Sequence, residues 1–157
     1  MTNQPQTTEV FDEERLSIYF PEGLIGLAEW QSFFFITRPT GKPFHLLQAA
    51  DNGRISLIVI DPKYIVADYE IRLDKADARA LDNSGELNTI QSNRSHIDIY
   101  CILSVQAEPF NVTANLLGPI VINWQTGLGR QIVLSDSNYN PRHFVTGKSV
   151  AQPSVKG

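Results

Sequence analysis

Histidine, cysteine and carboxylate side chains are the groups in this 157-residue chain that could do chemistry. The three histidines, His45, His96 and His143, lie far apart and in none of the spacings that protein metal sites use. Cys101, the only cysteine, falls in an apolar run, where a packed core thiol is expected rather than a nucleophile. The sequence has no P-loop, no G-x-S-x-G elbow and no H-E-x-x-H pair. These observations predict a protein that is not an enzyme, holds no metal or cofactor, and works by binding other proteins.

The charges are distributed unevenly. Residues 1–86 carry 14 Asp and Glu against 8 Lys and Arg, a net charge of −6, whereas residues 87–157 carry 3 against 5, a net charge of +2. The total of −4 argues against direct nucleic-acid binding, which depends on clustered cations. Asp61, Asp68 and Glu70 are typical of an acidic surface, since paired carboxylates do acid–base work only inside a pocket. An acidic first half favours association with a basic partner.

A loop with two glycines and several apolar residues precedes a dense aromatic segment. The loop spans residues 21–27, and the aromatic run at residues 33–35 is expected to pack in the core. Apolar side chains on a loop are harder to bury completely than those on a strand. Leu24, Ile25 and Leu27 are therefore candidates for gripping an amphipathic helix of a partner.

Most of the chain has the alternation, or the short apolar runs, that are typical of β-strands. One helix is predicted from Lys75 to Leu81, with Asp74 as its N-cap and residues 83–85 as its end. The fold is therefore predicted to be mostly β, a small antiparallel β-barrel-like single domain with one or two short helices; a β-sandwich is the alternative that periodicity leaves open. The predicted strands lie near residues 16–20, 33–36, 44–48, 55–60, 69–73, 97–105, 120–122 and 132–134, with an Asp51-Asn52-Gly53 hairpin turn and a link at residues 126–129.

The two ends differ in composition from the rest. Residues 1–9 are expected to be flexible, residues 10–145 to form the single domain, and residues 146–157 to be a disordered polar tail. No signal-peptide pattern and no membrane-length apolar run is evident, so a cytoplasmic protein without membrane contact is predicted. A monomer or weak oligomer is expected.

Six segments, in order along the chain, resemble motifs of the FliW family of flagellar assembly factors. The segment from Asn115-Leu116 through Pro119-Ile120 to Asn123 is the most specific of them, and Ala49 departs from the family pattern, which usually has Ser there. The resemblance covers nearly all of the predicted domain. Its segments are residues 20–27, residues 44–49, Asp61-Pro62 with Asp68-Tyr69, residues 113–123, residues 129–134, and Tyr139 with Arg142.

The resemblance implies a small antiparallel β-barrel that binds flagellin in the cytoplasm like a chaperone. It also implies binding to CsrA, a translational regulator that FliW proteins antagonise, so that flagellin level is coupled to flagellin translation. The loop side chains Leu24, Ile25 and Leu27 are then expected to contact flagellin. The acidic first half, around Asp61, Asp68 and Glu70, is expected to contact the CsrA-type regulator. The main alternative is a β-barrel that carries a small apolar ligand in a lined cavity.

Overall fold

The computed structural model describes residues 13–82, 89–90 and 96–145. The expected flexible N-terminus (residues 1–9), the polar tail (residues 146–157) and the helix end at residues 83–85 lie outside the described residues and stay predictions. Short 3-10 turns lie at Pro39–Gly41 and Pro62–Tyr64. The strands and the helix, in chain order, are β1 Glu14–Tyr19, β2 Ser32–Thr37, β3 Phe44–Ala49, β4 Ser56–Ile60, β5 Ile71–Arg72, α1 Lys75–Asp82, β6 Thr89–Ile90, β7 Ile97–Ala107, β8 Phe110–Ala114, β9 Ile120–Asn123, β10 Leu128–Gln131 and β11 His143–Phe144.

Seven strands close into a barrel in the order β7-β4-β3-β2-β1-β10-β9, with β9 returning to β7. Neighbouring barrel strands run antiparallel except where β1 and β10 run parallel, with Tyr19 opposite Leu128. The first half of β7 pairs with β9, and its last residues pair with β8, which carries β11 on its other side. The predicted fold class is therefore confirmed, and the sheet is a closed barrel rather than a sandwich.

Side chains from the barrel strands fill the interior. Because side chains alternate between the two faces of a strand, every second residue of these strands points inward. The rings of Phe20 and Phe33 meet edge to face, with centroids 5.5 Å apart. In the described part of the chain, aromatic and aliphatic side chains of one buried cluster occupy the interior. Large inward side chains that are at most 3% exposed include Phe20, Phe33, Phe35, Leu47 and Ile120.

A second apolar layer covers part of the outside of the barrel. Outward-facing residues of β7, such as Ile99 and Cys101, pack against Tyr69, Leu73 and other apolar residues of the chain between β4 and α1. The Tyr69 hydroxyl donates a 2.7 Å hydrogen bond to a carbonyl oxygen in the β8–β9 connection, which anchors this covering segment. Burial raises the pKa of the Cys101 thiol to about 12. The prediction of a core thiol is confirmed.

The predicted helix is present, and its predicted cap is made. The backbone N–H of Asp77 donates to Oδ1 of Asp74 at 2.8 Å, so the side chain satisfies one of the free donors of the first turn. The strand predicted at residues 69–73 is reduced to the two residues of β5, which pair with β6. No strand was predicted at the positions of β6, β8 and β11.

The strand predicted at residues 132–134 is wrong. The strand in this part of the chain is instead β10, at Leu128–Gln131. It starts directly after Gly127, within the segment at residues 126–129 that was expected to be a link. Gly127 has a φ of +73°, and this left-handed residue turns the chain back so that β10 pairs with both β9 and β1. The apolar character of residues 132–134 arises because Ile132 packs in the outer layer, while its N–H donates to the carbonyl of Pro119 at 2.9 Å.

Candidate functional site

The loop at residues 21–27 leaves the barrel at the end of β1 and folds into two tight turns. Gly23 and Gly26 have φ values of +68° and +82°, a backbone region that suits glycine. A Cβ at Gly23 would lie 2.7 Å from the backbone of Ala28, so this turn has no room for a larger residue. The Leu27 N–H donates to the carbonyl of Leu24 at 2.8 Å, which closes the second turn.

The three apolar residues predicted to contact a partner have different positions in this loop. Leu24 is only 2% exposed and packs into the barrel interior, so it adds nothing to the surface of the free protein. Leu27 is half-buried against the same interior cluster. Ile25 is 66% exposed and stands out from the loop. The loop therefore presents one apolar side chain, that of Ile25, on a base formed by the other two.

Gln131, at the end of β10, ties this loop to the barrel. Its Oε1 accepts the backbone N–H of Ile25 at 2.8 Å, and its Nε2 donates to the carbonyl of Gly118 at 2.9 Å. A groove of about 360 Å³ lies between the loop, α1 and the strand that carries Gln131. Gln131 lies in a segment that resembles a family motif, but no local pattern in the sequence predicted its contact with the loop.

Arg130 makes a second connection at the same place. Its guanidinium lies 2.9 Å from the Glu22 carboxylate in the loop and 2.8 Å from the Asp77 carboxylate in α1. Glu22 is largely exposed, so its ion pair contributes little, whereas the pair with the more buried Asp77 is better shielded from water. The loop, the barrel and the helix are thus joined through two consecutive residues of β10.

Two of the three predicted acidic contacts lie together. Asp68 and Glu70 line an open groove of about 610 Å³ between the covering segment and the chain after β10. Three more carboxylates, from Asp74, Asp77 and Asp136, line the same groove, and Arg72 is the cation among those of its lining residues that the structure describes. Asp77 is paired with Arg130, and the carboxylates still outnumber the cations among the described residues of this groove, which makes it an acidic surface.

Asp61 lies in a different groove. Its Oδ1 accepts the N–H of Lys63 at 2.9 Å and caps the 3-10 turn that follows, so Asp61 has a structural role in this turn. The groove beside it, of about 330 Å³, also contains Lys42, His45 and Asp98. The structure therefore does not bring Asp61 together with Asp68 and Glu70.

Two titratable side chains near the barrel mouth are partly buried. The Asp98 carboxylate accepts a 2.7 Å hydrogen bond from the indole N–H of Trp124, and burial raises the pKa of Asp98 despite that bond. His45 lies 2.8 Å from the Thr37 hydroxyl, and burial lowers the pKa of His45. Within the described ranges, no three His, Cys, Asp or Glu residues are placed to hold a metal ion.

An apolar groove that the sequence analysis missed crosses the outer face of the sheet. Four residues on neighbouring strands stand opposite one another in register, Ile36, Leu46, Ile58 and Leu103. These residues line an open groove of about 420 Å³, and 53% of Val105 at its side is exposed. Outward-facing apolar residues on adjacent strands could have predicted this groove only if the pairing of those strands had been known.

The closed seven-stranded barrel with an apolar loop at its seam and an acidic groove beside its helix defines a small β-barrel protein with several surfaces suited to contact with other molecules. The chain belongs to the FliW family, since the family model described as "FliW protein" matches residues 2–145. None of the helices in the described residues is long and apolar enough to cross a membrane.

Individual relatives agree with this family. The chain is 33% identical over 138 residues to "Flagellar assembly factor FliW" of Bacillus subtilis strain 168, covering 87% of this chain and 90% of that protein. It is 31% identical over 136 residues to the protein with the same description from Geobacter sulfurreducens, covering 86% of this chain and 79% of that protein. A crystal structure of the flagellar assembly factor FliW superimposes with a TM-score of 0.69 at 30% identity, covering 82% of this chain and 84% of that one.

Proposed function

We propose that this protein is a cytoplasmic flagellar assembly factor that binds flagellin and antagonises a CsrA-type translational regulator. It acts by protein–protein binding and not by catalysis. Because one protein contacts both partners, the amount of free flagellin sets how much of the assembly factor is left to act on the regulator. Flagellin level is thereby coupled to flagellin translation.

The observation that carries the flagellin part of this proposal is the exposure of Ile25. An isoleucine that is 66% exposed gains free energy when a partner removes it from water. The two turns of the loop and the hydrogen bond that the Ile25 N–H donates to Gln131 hold the backbone of Ile25 in place before binding, so little conformational entropy is lost in the complex. Flagellin terminal segments are amphipathic and unpaired before assembly, and their apolar faces suit such a contact.

The test is Ile25→Asp, measured by titration calorimetry with purified flagellin. Burying an isoleucine side chain is worth about 1.5–3 kcal/mol, and a carboxylate in its place would have to be desolvated, so affinity should fall about tenfold or more. The matched control is Val105→Asp, which places the same charge at a half-exposed apolar residue of the outer groove. If Val105→Asp weakens binding and Ile25→Asp does not, flagellin uses the outer groove and this assignment is wrong.

The acidic groove supports the second partner. A CsrA-type regulator binds RNA and so carries basic residues, which complement the carboxylates around Asp68 and Glu70. Charges at the edge of an interface act mainly on the association rate and on its dependence on salt. Asp68→Lys/Glu70→Lys should therefore slow association with the regulator and flatten the salt dependence of the association rate.

The matched control for the acidic groove is Glu29→Lys/Asp51→Lys. These two exposed carboxylates lie in the same acidic half of the chain but do not line the groove, so this variant has the same net charge as the first. If both double variants slow association equally, only total charge matters. If neither does, the acidic half does not guide the regulator, although the proposed flagellin contact would stand.

A further inference from the structure

We infer that Gln131 is the positioning residue of the Ile25 loop: its side-chain amide holds the loop in the conformation that presents Ile25 to a partner. The inference rests on the proposed role of the loop in binding. Ile25 is mostly exposed, and its backbone N–H donates to the Gln131 side chain on β10. The rest of the loop is held by its own backbone turns, by the ion pair of Glu22 with Arg130, and by Gln31, whose Nε2 donates to the carbonyl of Pro21 at 2.7 Å.

The orientation of the Gln131 amide is fixed by its two partners. Nε2 donates to the carbonyl of Gly118 and Oε1 accepts from the N–H of Ile25, so exchanging the nitrogen and the oxygen would lose both bonds. A Cβ at Gly118 would lie 3.2 Å from Nε2, so the amide rests closely on this glycine. A larger residue at position 118 would displace it.

Gly118 lies in a turn that the side chain of Asn115 holds through hydrogen bonds. Oδ1 of Asn115 accepts the N–H groups of Leu117 at 3.1 Å and of Gly118 at 2.9 Å. The N–H of Asn115 in turn donates to the carbonyl of Ile102 in β7 at 2.9 Å. A continuous series of hydrogen bonds therefore runs from the barrel wall through Asn115, Gly118 and Gln131 to Ile25.

The decisive variant is Gln131→Met, which keeps the length of the side chain but removes both polar atoms. Hydrogen exchange of backbone amides, measured by NMR in the full chain, directly reports the hydrogen bond between the Ile25 N–H and Gln131 Oε1, which is called the clamp below. The Ile25 amide should exchange about tenfold or more faster in the variant, because its partner is gone. The amides of Gly23 and Leu27, bonded to the carbonyls of Phe20 and Leu24, should exchange as before.

The control is Gln125→Met, the same substitution at an exposed glutamine in the β9–β10 turn, which should leave Ile25 exchange unchanged. With purified flagellin as the probe, Gln131→Met should lose affinity several-fold, by less than Ile25→Asp. Unchanged exchange at Ile25 would overturn the clamp whatever the binding result. Faster exchange with full affinity, in a series where Ile25→Asp does weaken binding, would show that the clamp does not position the loop for flagellin. If Ile25→Asp itself binds normally, the proposed function fails, and exchange alone decides whether the clamp exists.

Discussion

Hydrogen bonds join the end of helix α1 to the β9–β10 turn, and they allow a quantitative test of how the barrel holds its helix. Asn123 is fully buried; its Nδ2 donates to the carbonyl of Leu81 at 3.2 Å, and its Oδ1 accepts the N–H groups of Gln125 at 2.9 Å and of Thr126 at 3.3 Å. The Thr126 hydroxyl donates to the same Leu81 carbonyl at 3.0 Å. One buried helix-end carbonyl therefore has two side-chain donors.

Each single variant leaves the Leu81 carbonyl with one donor, and the double variant removes both. Asn123→Ala loses up to three hydrogen bonds and some packing, which should lower the free energy of unfolding by about 2–3 kcal/mol. Thr126→Val keeps the shape of the side chain and should lose about 1 kcal/mol. The double variant should lose about 1 kcal/mol more than the sum, because it leaves a buried carbonyl without a partner.

The free energies of unfolding would be measured by urea denaturation of the four proteins of this cycle, with equal slopes required for the comparison. Strictly additive losses would refute the shared-carbonyl interpretation. They would show that water reaches the Leu81 carbonyl once either side chain is removed.

Two further predictions test other parts of the fold. Gly129→Ala should lower the free energy of unfolding by about 1–3 kcal/mol, because its Cβ would lie 2.5 Å from the Phe20 ring. The control is Gly41→Ala, whose Cβ would meet only a side-chain atom at 3.8 Å. Equal losses in the two variants would contradict the close packing of Phe20 on Gly129. Burial, helped by Lys42 and opposed by Asp61 and Glu14, lowers the pKa of His45 below its ordinary 6.5, so the unfolded chain binds this proton more readily than the folded protein does. Acidification from about pH 7.5 toward the folded pKa should therefore lower the free energy of unfolding. His45→Gln should flatten this pH dependence in urea denaturation, and an unchanged dependence on pH would contradict the prediction.

The elements that local patterns control could be predicted from the sequence. Phe33 and Phe35 of the aromatic run in β2 are buried as predicted, although Phe34 between them is only partly buried, and Asp74 caps α1 as predicted. The turn at Asp51-Asn52-Gly53 joins β3 and β4, as predicted. Each of these features depends on residues that are close in sequence, which is why the chain alone reveals them.

Features that depend on distant contacts could not be predicted. Closure of the barrel rests on the parallel junction of Tyr19 with Leu128, which no local pattern marks. The position of β10 was missed because its glycine-rich segment looks like a turn. In the fold, Gly129 leaves room for the Phe20 ring to pack against β10, a contact between residues far apart in sequence. Leu24 and Ile25 are alike in sequence, but one is buried and the other exposed because the turn at the preceding glycine fixes which of them faces the barrel.

The place where the barrel closes and the place where the apolar loop begins are the same. The Tyr19 N–H donates to the carbonyl of Gly127 at the parallel junction, and the next residue, Phe20, inserts its ring into the interior over Gly129. The loop that presents Ile25 follows immediately, so the junction fixes the position of its first residues. A residue on such a base has few alternative positions to lose when a partner binds, which favours affinity without additional contact area. Substitutions that loosen the junction, with no contact to a partner, should therefore weaken binding through the loop as well as stability.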